Sequence, residues 1–307
     1  MTVSDGRIDA RDWLLLAILS VLWGGSFFFN GVVLRELPPF TLVLLRVALA
    51  ALLLLPLLYT RRLAFPKDWT GWWPYFFLAL FNNVLPFSLI VIGQTYLPSG
   101  LAAILNATTP LFTVLVMAAA GEEKLIVRRV AGVIVGLIGV IVLRGGGLGL
   151  ESGQGLGILL CLGAALSYGI SALIARRGLA GSPPLATATF QLMAASLMMA
   201  VVAGIVERPW QLPVPGMATW LAVFGLAALS TALAYIVFFQ ILRRSGATNV
   251  MLVTLLIPVT AILLGAFVLG EHVSLWEIVG AFVIGSALLL IDGRALKLLS
   301  RKAPKNK

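Results

Sequence analysis

Charge is scarce in this chain of 307 residues. Asp, Glu, Lys and Arg make up 11% of it, whereas 60% of the residues are hydrophobic and the mean hydropathy is +1.05. One globular core could not bury so much apolar side chain, so the composition excludes a soluble domain. The chain is therefore expected to lie in a lipid bilayer.

Several chemical signatures are also missing. None of the twelve acidic residues lies at the centre of an apolar run, so no buried carboxylate relay for protons is visible. The sequence has no ATP-binding motif, metal-ligand cluster or nucleophile with a positioned base, and we expect neither enzyme activity nor a cofactor. The single cysteine, Cys161, excludes an internal disulfide and is expected to be a small buried side chain.

Ten apolar runs approach the ~20 residues that a membrane-spanning helix needs. They are continuously apolar rather than alternating, which favours helices over a membrane barrel. They lie at about 13–34, 40–58, 74–94, 98–119, 130–143, 156–175, 185–206, 218–241, 246–269 and 273–291. The sequence thus predicts an all-α membrane protein with ten transmembrane helices.

One pattern occurs twice along the chain. Gly24, Ser26, Pro38 and Pro39 return 145 residues later as Gly169, Ser171, Pro183 and Pro184. A mid-span proline followed by Gly-Glu also recurs, as Pro110 with Gly121-Glu122 and as Pro258 with Gly270-Glu271. Because each half contains five spans, the second half inserts upside down. The sequence predicts two inverted five-helix repeats, residues 1–147 and 148–307, around a central cavity.

The basic residues predict the orientation. If the N-terminus is cytoplasmic, 18 of the 22 Lys and Arg fall in inner segments, three fall in outer loops and Arg46 lies within a span. This asymmetry predicts a multi-pass protein of a bacterial-type inner membrane with both termini cytoplasmic. The net charge of +10 is therefore assigned to topology, and no nucleic-acid partner is expected. A lipid or nucleic-acid site on the basic tail, residues 297–307, is the weaker alternative.

Polar side chains at membrane depth indicate which helices face a cavity, because lipid does not solvate them. They concentrate in spans 1, 3, 4, 6, 8 and 9, with spans 2 and 7 flanking and the glycine-rich spans 5 and 10 buttressing. The predicted substrate-binding residues are Trp23, Asn82, Asn83, Asn106, Thr109, Ser167, Tyr168, Thr231, Tyr235 and Thr254. In the alternative interpretation, Ser and Thr hydroxyls bond to their own helices.

Two mid-span prolines are predicted hinges. Pro110 and Pro258 each remove an amide donor and free the carbonyl four residues earlier, on Asn106 and Thr254 respectively. We favour a kink that lets the helix rock. The alternative is that the freed carbonyl receives a substrate ammonium.

Arg46 allows two interpretations. Its guanidinium could anchor a carboxylate or a phosphate, because its fork of donors matches both groups. Alternatively, it is structural and bonds loop carbonyls or extends to the outer interface. We favour the structural interpretation, because the second span otherwise lacks a polar face.

These features together resemble a known family. The ten spans in two repeats, Trp23-Gly24, Arg46 and the repeated Pro and Gly-Glu motifs resemble the EamA type of the drug/metabolite transporter superfamily. The resemblance covers essentially the whole chain and is nearest to the YddG-type exporters of aromatic and other neutral amino acids. It implies export of metabolites through a central cavity that opens alternately to each side.

We therefore predict a secondary transporter that exports small amphipathic metabolites, foremost neutral or aromatic amino acids. Its partners would be the small-molecule substrate and the lipid bilayer, and the sequence is compatible with a monomer. A carrier of sugar phosphates or nucleotide sugars is one alternative, although it would need more basic residues in the cavity than Arg46. A membrane-embedded enzyme is the other.

The predicted orientation can be tested by cysteine labelling. In a Cys161→Ala background, Lys67→Cys should resist an impermeant maleimide added to intact cells and react after permeabilisation, because the loop is predicted to be cytoplasmic. Arg35→Cys, in a predicted outer loop, serves as the matched control and should react in intact cells. Ready labelling of position 67 from outside would overturn the arrangement.

Overall fold

The computed structural model describes residues 9–124, 126–143, 153–245, 250 and 252–292. Two predicted features lie outside the described residues. One is the boundary between the repeats at 147 and 148, and the other is the basic C-terminal tail.

Ten helical segments, numbered α1 to α10, run through the described part of the chain. They are α1 (Ala10–Val33), α2 (Pro39–Thr60), α3 (Trp69–Gly93), α4 (Ser99–Ala119), α5 (Val127–Val142), α6 (Gln154–Gly178), α7 (Pro184–Val206), α8 (Met217–Ser245), α9 (Val253–Leu269) and α10 (Leu275–Asp292). Seven of these, α1 to α4 and α6 to α8, are long and apolar enough to cross a membrane. The count of ten membrane spans remains a prediction.

Several helices begin where the sequence supplies a suitable first residue. Pro39 and Pro184 lie in the first turns of α2 and α7, where a missing amide donor costs nothing. Asp68 caps α3 by accepting a hydrogen bond from the Gly71 amide at 2.8 Å. The Thr70 hydroxyl and this amide hold the pKa of the Asp68 carboxyl below its usual value.

The repeated Gly-Glu motif has a structural explanation. Gly121 and Gly270 adopt φ angles of +75° and +71° at the ends of α4 and α9, in the left-handed region that favours glycine. Glu271 then accepts a hydrogen bond from the Ser99 amide at the start of α4, at 3.0 Å.

In the first repeat the glutamate of this motif forms an ion pair instead. Arg177 on α6 donates to the Glu122 carboxylate at 2.8 Å and keeps the pKa of that carboxyl below its usual value. The motif therefore ends one helix and ties it to another in both halves, by different bonds.

Helix packing repeats between the halves. The helix α1 packs against α8 and α9, and its counterpart α6 packs against α3 and α4. Likewise α2 contacts α8, and α7 contacts α3. Three further contacts each join a helix to its own counterpart in the other half: α2 with α7, α4 with α9, and α5 with α10. The two halves thus pack as related units.

Repeated small residues lie where helices approach most closely. A Cβ atom at Gly24 would lie 2.7 Å from the Cβ of Thr260 and 2.9 Å from the Ile257 carbonyl oxygen on α9. A Cβ atom at its counterpart Gly169 would lie 3.1 Å from the backbone of Phe112 on α4. Beside Gly24, the hydroxyls of Ser20 and Thr260 share a hydrogen bond of 2.9 Å.

Several glycines of α5 and α10 lie where these two helices meet. A Cβ atom at Gly139 would lie 2.7 Å from Ile284 on α10, and one at Gly280 would lie 2.6 Å from Leu143 at the end of α5. Small residues let these two helices pack backbone to backbone.

Two apolar cores lie on either side of the centre. One joins α1, α4, α6 and α9 with α5 and α10, and the other joins α2 and α7 with parts of α3 and α8. Tyr168 on α6 packs against both cores. The seam between the cores is therefore where a central site is expected.

The close approach of α1 to α9 predicts the effect of adding one methyl group. Gly24→Ala should lower the apparent melting temperature of the purified protein, because overpacking of this kind costs about 1–3 kcal/mol. Gly25→Ala is the matched control, since its Cβ would have 3.9 Å to its nearest neighbours, and it should melt like wild type or slightly higher. Equal melting temperatures for the two variants would contradict this account of the packing.

Candidate binding site in a buried polar cluster

Arg46 lies at the centre of a polar cluster formed by α2, α3, α6, α7 and α8. The residue is 6% exposed, and its Nε donates to the Thr231 hydroxyl at 3.0 Å. Its Cζ lies 3.7 Å from the centre of the Phe87 ring, a cation–π contact. Within the described residues, no carboxylate lies within ion-pair distance of Arg46.

This geometry corrects the partners expected for a structural Arg46, and it leaves the choice between the two interpretations open. The side chain neither bonds loop carbonyls nor extends to an interface; it bonds another side chain inside the bundle. Its helix α2 therefore contributes to the central cluster rather than flanking it. The same holds for α7, whose Gln191 is 2% exposed and is the repeat counterpart of Arg46.

Thr231 holds Arg46 in place. Its hydroxyl accepts from Arg46 and donates to the Leu226 carbonyl at 2.9 Å, so the hydroxyl hydrogen is already used. Thr231 belongs to a π-helical turn of α8, Ala228–Leu233. Such a turn leaves carbonyls without their regular helical partners, which explains why a side chain bonds one of them here.

Tyr235 accepts hydrogen bonds from two asparagines of α3. The side-chain amides of Asn82 and Asn83 each donate to its phenol oxygen at 3.3 Å. A phenol that accepts both bonds still carries its own hydrogen as a donor. On α8, Tyr235 follows Thr231, the hydrogen-bond partner of Arg46, by four residues.

Asn82 links the cluster to α6 and α7. Its amide also donates to Gln191 at 3.1 Å. Its side-chain carbonyl lies 3.1 Å from the Ser171 hydroxyl, which can donate its one hydrogen either to Asn82 or to the Tyr168 carbonyl at 2.8 Å. Gln191 and Ser171 were not among the predicted binding residues. The signal that could have found Gln191 is its position, since it is polar at the place where the other repeat carries Arg46.

A second π-helical turn, Leu80–Val84, positions the asparagines. It is the counterpart of the turn that contains Thr231. Ser167 on α6 donates to the Phe81 carbonyl within this turn at 2.8 Å. The hydroxyl hydrogen of Ser167 is therefore used in a bond between α6 and α3. The sequence predicted neither of these two π-helical turns, nor a third at Gly265–Leu269.

The break in α4 brings Asn106, Thr109 and Pro110 together. One helical stretch ends at Asn106 and the next begins at Thr109, with Pro110 in its first turn. The Thr109 hydroxyl donates to the freed Asn106 carbonyl at 2.7 Å, so that carbonyl already has a partner. The side-chain oxygen of Asn106 is buried and has no hydrogen-bond partner in the described residues.

Pro258 behaves differently from Pro110. It is buried within a stretch of α9 that stays α-helical from Val253 to Leu264. The two prolines are therefore equivalent in sequence but not in local structure. Their role as hinges stays a prediction, as does substrate contact by Thr254, which is partly exposed on the same helix.

Aromatic rings of α1 and α8 lie beside the polar cluster. The ring of Trp23 lies 5.5 Å from that of Phe238, and Phe239 stacks with Tyr235 at 6.1 Å. Trp23, Tyr168 and Tyr235 are partly exposed although they pack against the cores. The structure thus brings Asn82, Asn83, Tyr168, Thr231 and Tyr235 together around Arg46.

A cavity of 210 Å³ lies elsewhere, between the start of α2 and the proline-rich turn before α8. Thr41, Pro213 and Trp220 are among its lining residues. None of the predicted binding residues contributes to it.

A model of the EamA-like transporter family matches the chain twice, at residues 11–145 and 155–292. The chain belongs to this family. The two matches contain α1 to α5 and α6 to α10, which are the two halves that pack as related units. The protein is therefore a multi-pass membrane transporter, and its repeated elements are two copies of one domain.

Curated relatives agree with this assignment. The chain is 27% identical to the uncharacterized transporter YvbV of Bacillus subtilis, over 93% of this chain and 92% of the relative. It is 27% identical to the uncharacterized inner membrane transporter YedA of Escherichia coli K12, over 90% and 89% respectively. It is 26% identical to a protein of Salmonella typhimurium named a probable amino-acid metabolite efflux pump, over 92% and 95%.

A solved structure described as "Crystal structure of protein" has the same fold. It superposes with a TM-score of 0.65 at 23% identity, over 95% of this chain and 99% of the other. This likeness concerns the fold alone.

The contact between Arg46 and Thr231 predicts a difference between two similar substitutions. Thr231→Val should lower the apparent melting temperature, because it leaves a buried charged donor and the Leu226 carbonyl unpaired, at about 1–3 kcal/mol for a buried group. Thr231→Ser keeps the hydroxyl and should remain close to wild type. If both variants melt alike, the hydroxyl does not hold Arg46.

Proposed function

We propose that this EamA-family protein exports neutral amino acids, including aromatic ones, by alternating access. The observation that carries the proposal is the cluster around Arg46, which combines one cation, neutral polar groups and aromatic rings inside the bundle. A neutral amino acid presents the complementary groups: one carboxylate, one ammonium and an apolar side chain.

Partners for both charged ends of an amino acid lie in the bundle. Arg46 and the phenol hydrogen of Tyr235 are donors suited to a carboxylate. Among the described residues, the buried side-chain oxygens of Asn83 and Asn106 have no hydrogen-bond partner. Such acceptors suit an ammonium group, and leaving them unmet in the interior would be unfavourable.

The aromatic rings suit the substrate side chain. Trp23, Phe238 and Phe239 form a connected group beside Tyr235. Rings of this kind bind apolar and aromatic groups by area and by offset or edge contacts. The Salmonella relative is named a probable amino-acid metabolite efflux pump, and that name is consistent with this substrate class.

The charge of the site favours amino acids over the alternative substrates. A sugar phosphate or a nucleotide sugar carries at least two negative charges near neutral pH, which calls for several cations. The sequence places a single basic residue, Arg46, well inside a predicted span. The site is balanced for a substrate with one carboxylate.

The proposed coupling is exchange or flow down the substrate gradient. No acidic residue lies at the centre of a predicted span, so the bundle offers no obvious carboxylate to carry a proton with each cycle. Net transport should therefore proceed without a pH gradient.

Counterflow into proteoliposomes tests the proposal. Vesicles loaded with unlabelled phenylalanine should accumulate labelled phenylalanine at symmetrical pH, and empty vesicles should not. Asn83→Ala should reduce the initial rate at least tenfold, because it removes a proposed ammonium acceptor that lies beside Tyr235. Ser286→Ala, whose exposed hydroxyl bonds its own helix, is the matched control and should transport like wild type.

Two results would contradict the proposal. If wild-type vesicles show no counterflow with any neutral amino acid, neutral amino acids are excluded as the substrate class. Uptake that vanishes whenever the pH gradient is collapsed would reveal a proton site and refute the exchange mode.

A further inference from the structure

We infer that Arg46 is the anion anchor of this transporter and that it binds the single carboxylate of the substrate through its two terminal nitrogens. The inference rests on the proposed function, since it assigns the recognition of the carboxyl end to one residue. It also extends the substrate class to small monocarboxylates in general.

The first support is the unbalanced charge. Arg46 is 6% exposed, so its charge is largely removed from solvent. A buried cation is unfavourable unless an anion or several oxygen acceptors compensate it. In the described residues it has one hydroxyl and one ring as partners, and neither carries a negative charge. An anion is the group that this site lacks.

The second support is the orientation of the guanidinium. The Nε–H group of Arg46 donates to Thr231, and the Cζ atom lies over the Phe87 ring, 3.7 Å from the ring centre. The hydrogen bonds found in the described residues do not use the two terminal nitrogens, which together carry four N–H groups. Two parallel N–H donors fit the two oxygens of a carboxylate.

The third support is the set of neighbouring groups. Asn82 and Asn83 both donate to Tyr235, which directs the remaining phenol hydrogen away from them. Tyr235 follows Thr231, the partner of Arg46, by four residues on α8, so this hydrogen can serve as an additional donor to an anion at the site. The π-helical turn in α3 holds Asn82 and Asn83, which bond Tyr235, and the turn in α8 holds Thr231, which bonds Arg46.

The anchor is matched to one negative charge. A carboxylate would be met by one guanidinium and one neutral phenol, whereas a phosphate monoester would retain an excess of negative charge in the bundle. Chloride has the same charge but cannot use two parallel donors. We therefore assign the anchor to carboxylates, and chloride or phosphate occupancy becomes an outcome of the test.

The binding test uses purified full-length protein in chloride-free methanesulfonate buffer, with ligands added one at a time. Phenylalanine, and benzoate more weakly, should raise the apparent melting temperature of wild type, whereas phenethylamine should not. Arg46→Gln should lose the shift with both carboxylates. Arg35→Gln removes the same charge from an exposed position and should keep both shifts.

A second variant keeps the test decisive if Arg46→Gln does not fold. Arg46→Lys retains the charge but lacks the fork of donors, so the KM for phenylalanine counterflow should rise at least tenfold while the maximal rate changes less. Binding of phenethylamine should be the same in Arg46→Lys and in wild type. A purely structural arginine would instead lower stability and maximal rate without changing this discrimination.

Four outcomes overturn the anchor. The first is an unchanged preference of Arg46→Lys for phenylalanine over phenethylamine, and the second is that no carboxylate shifts the melting temperature of wild type. The other two concern inorganic anions: chloride stabilises the protein and carboxylates do not compete with it, or phosphate raises the melting temperature more than benzoate does. Failure of the proposed function looks different. Wild type would then bind benzoate through Arg46, which supports the anchor, yet show no counterflow with any neutral amino acid.

Discussion

The interior of a bilayer offers no water, so every polar group there must find its partner within the protein. This constraint governs the centre of the bundle. A hydroxyl on one π-helical turn holds the buried guanidinium of Arg46, and the asparagines of the other turn hold Tyr235.

The repeated small residues make this arrangement possible. Gly24 and Gly169 let α1 approach α9 and α6 approach α4, so helices from opposite halves pack closely around the centre. Asn82 and Asn83 of one π-helical turn then reach Tyr235, which follows the other turn on α8. A duplicated domain thus produces a site from unlike residues, since Arg46 and Gln191 occupy equivalent positions in the two halves.

The sequence predicted the features that depend on composition and periodicity. Apolar runs located the helices, and the repeat predicted two related halves. Mid-depth polarity pointed to Asn82, Asn83 and Tyr235, which the structure joins by hydrogen bonds. What it missed depends on geometry. Nothing in the local sequence of Ala228–Leu233 distinguishes a π-helical turn from an α-helix, and the position of Arg46 depends on a hydroxyl 185 residues away.

Hydroxyl groups were the least predictable part of the site. Thr109 and Ser167 look available for a ligand in the sequence, yet both hydroxyls donate to backbone carbonyls. A helix break frees one of these carbonyls and a π-helical turn contains the other. The amides and phenols were easier to place, because they have more hydrogen-bonding groups than a single helix can satisfy.

The most direct test of the account is a distance between the substrate and Arg46. Solid-state NMR of membrane-embedded protein can measure dipolar coupling between the guanidinium nitrogens of labelled arginine and the carboxyl carbon of labelled, bound phenylalanine. We predict a strong coupling, from N···O contacts of about 2.7–2.9 Å, that disappears in Arg46→Lys. Bound phenylalanine without any coupling to an arginine guanidinium would contradict the account.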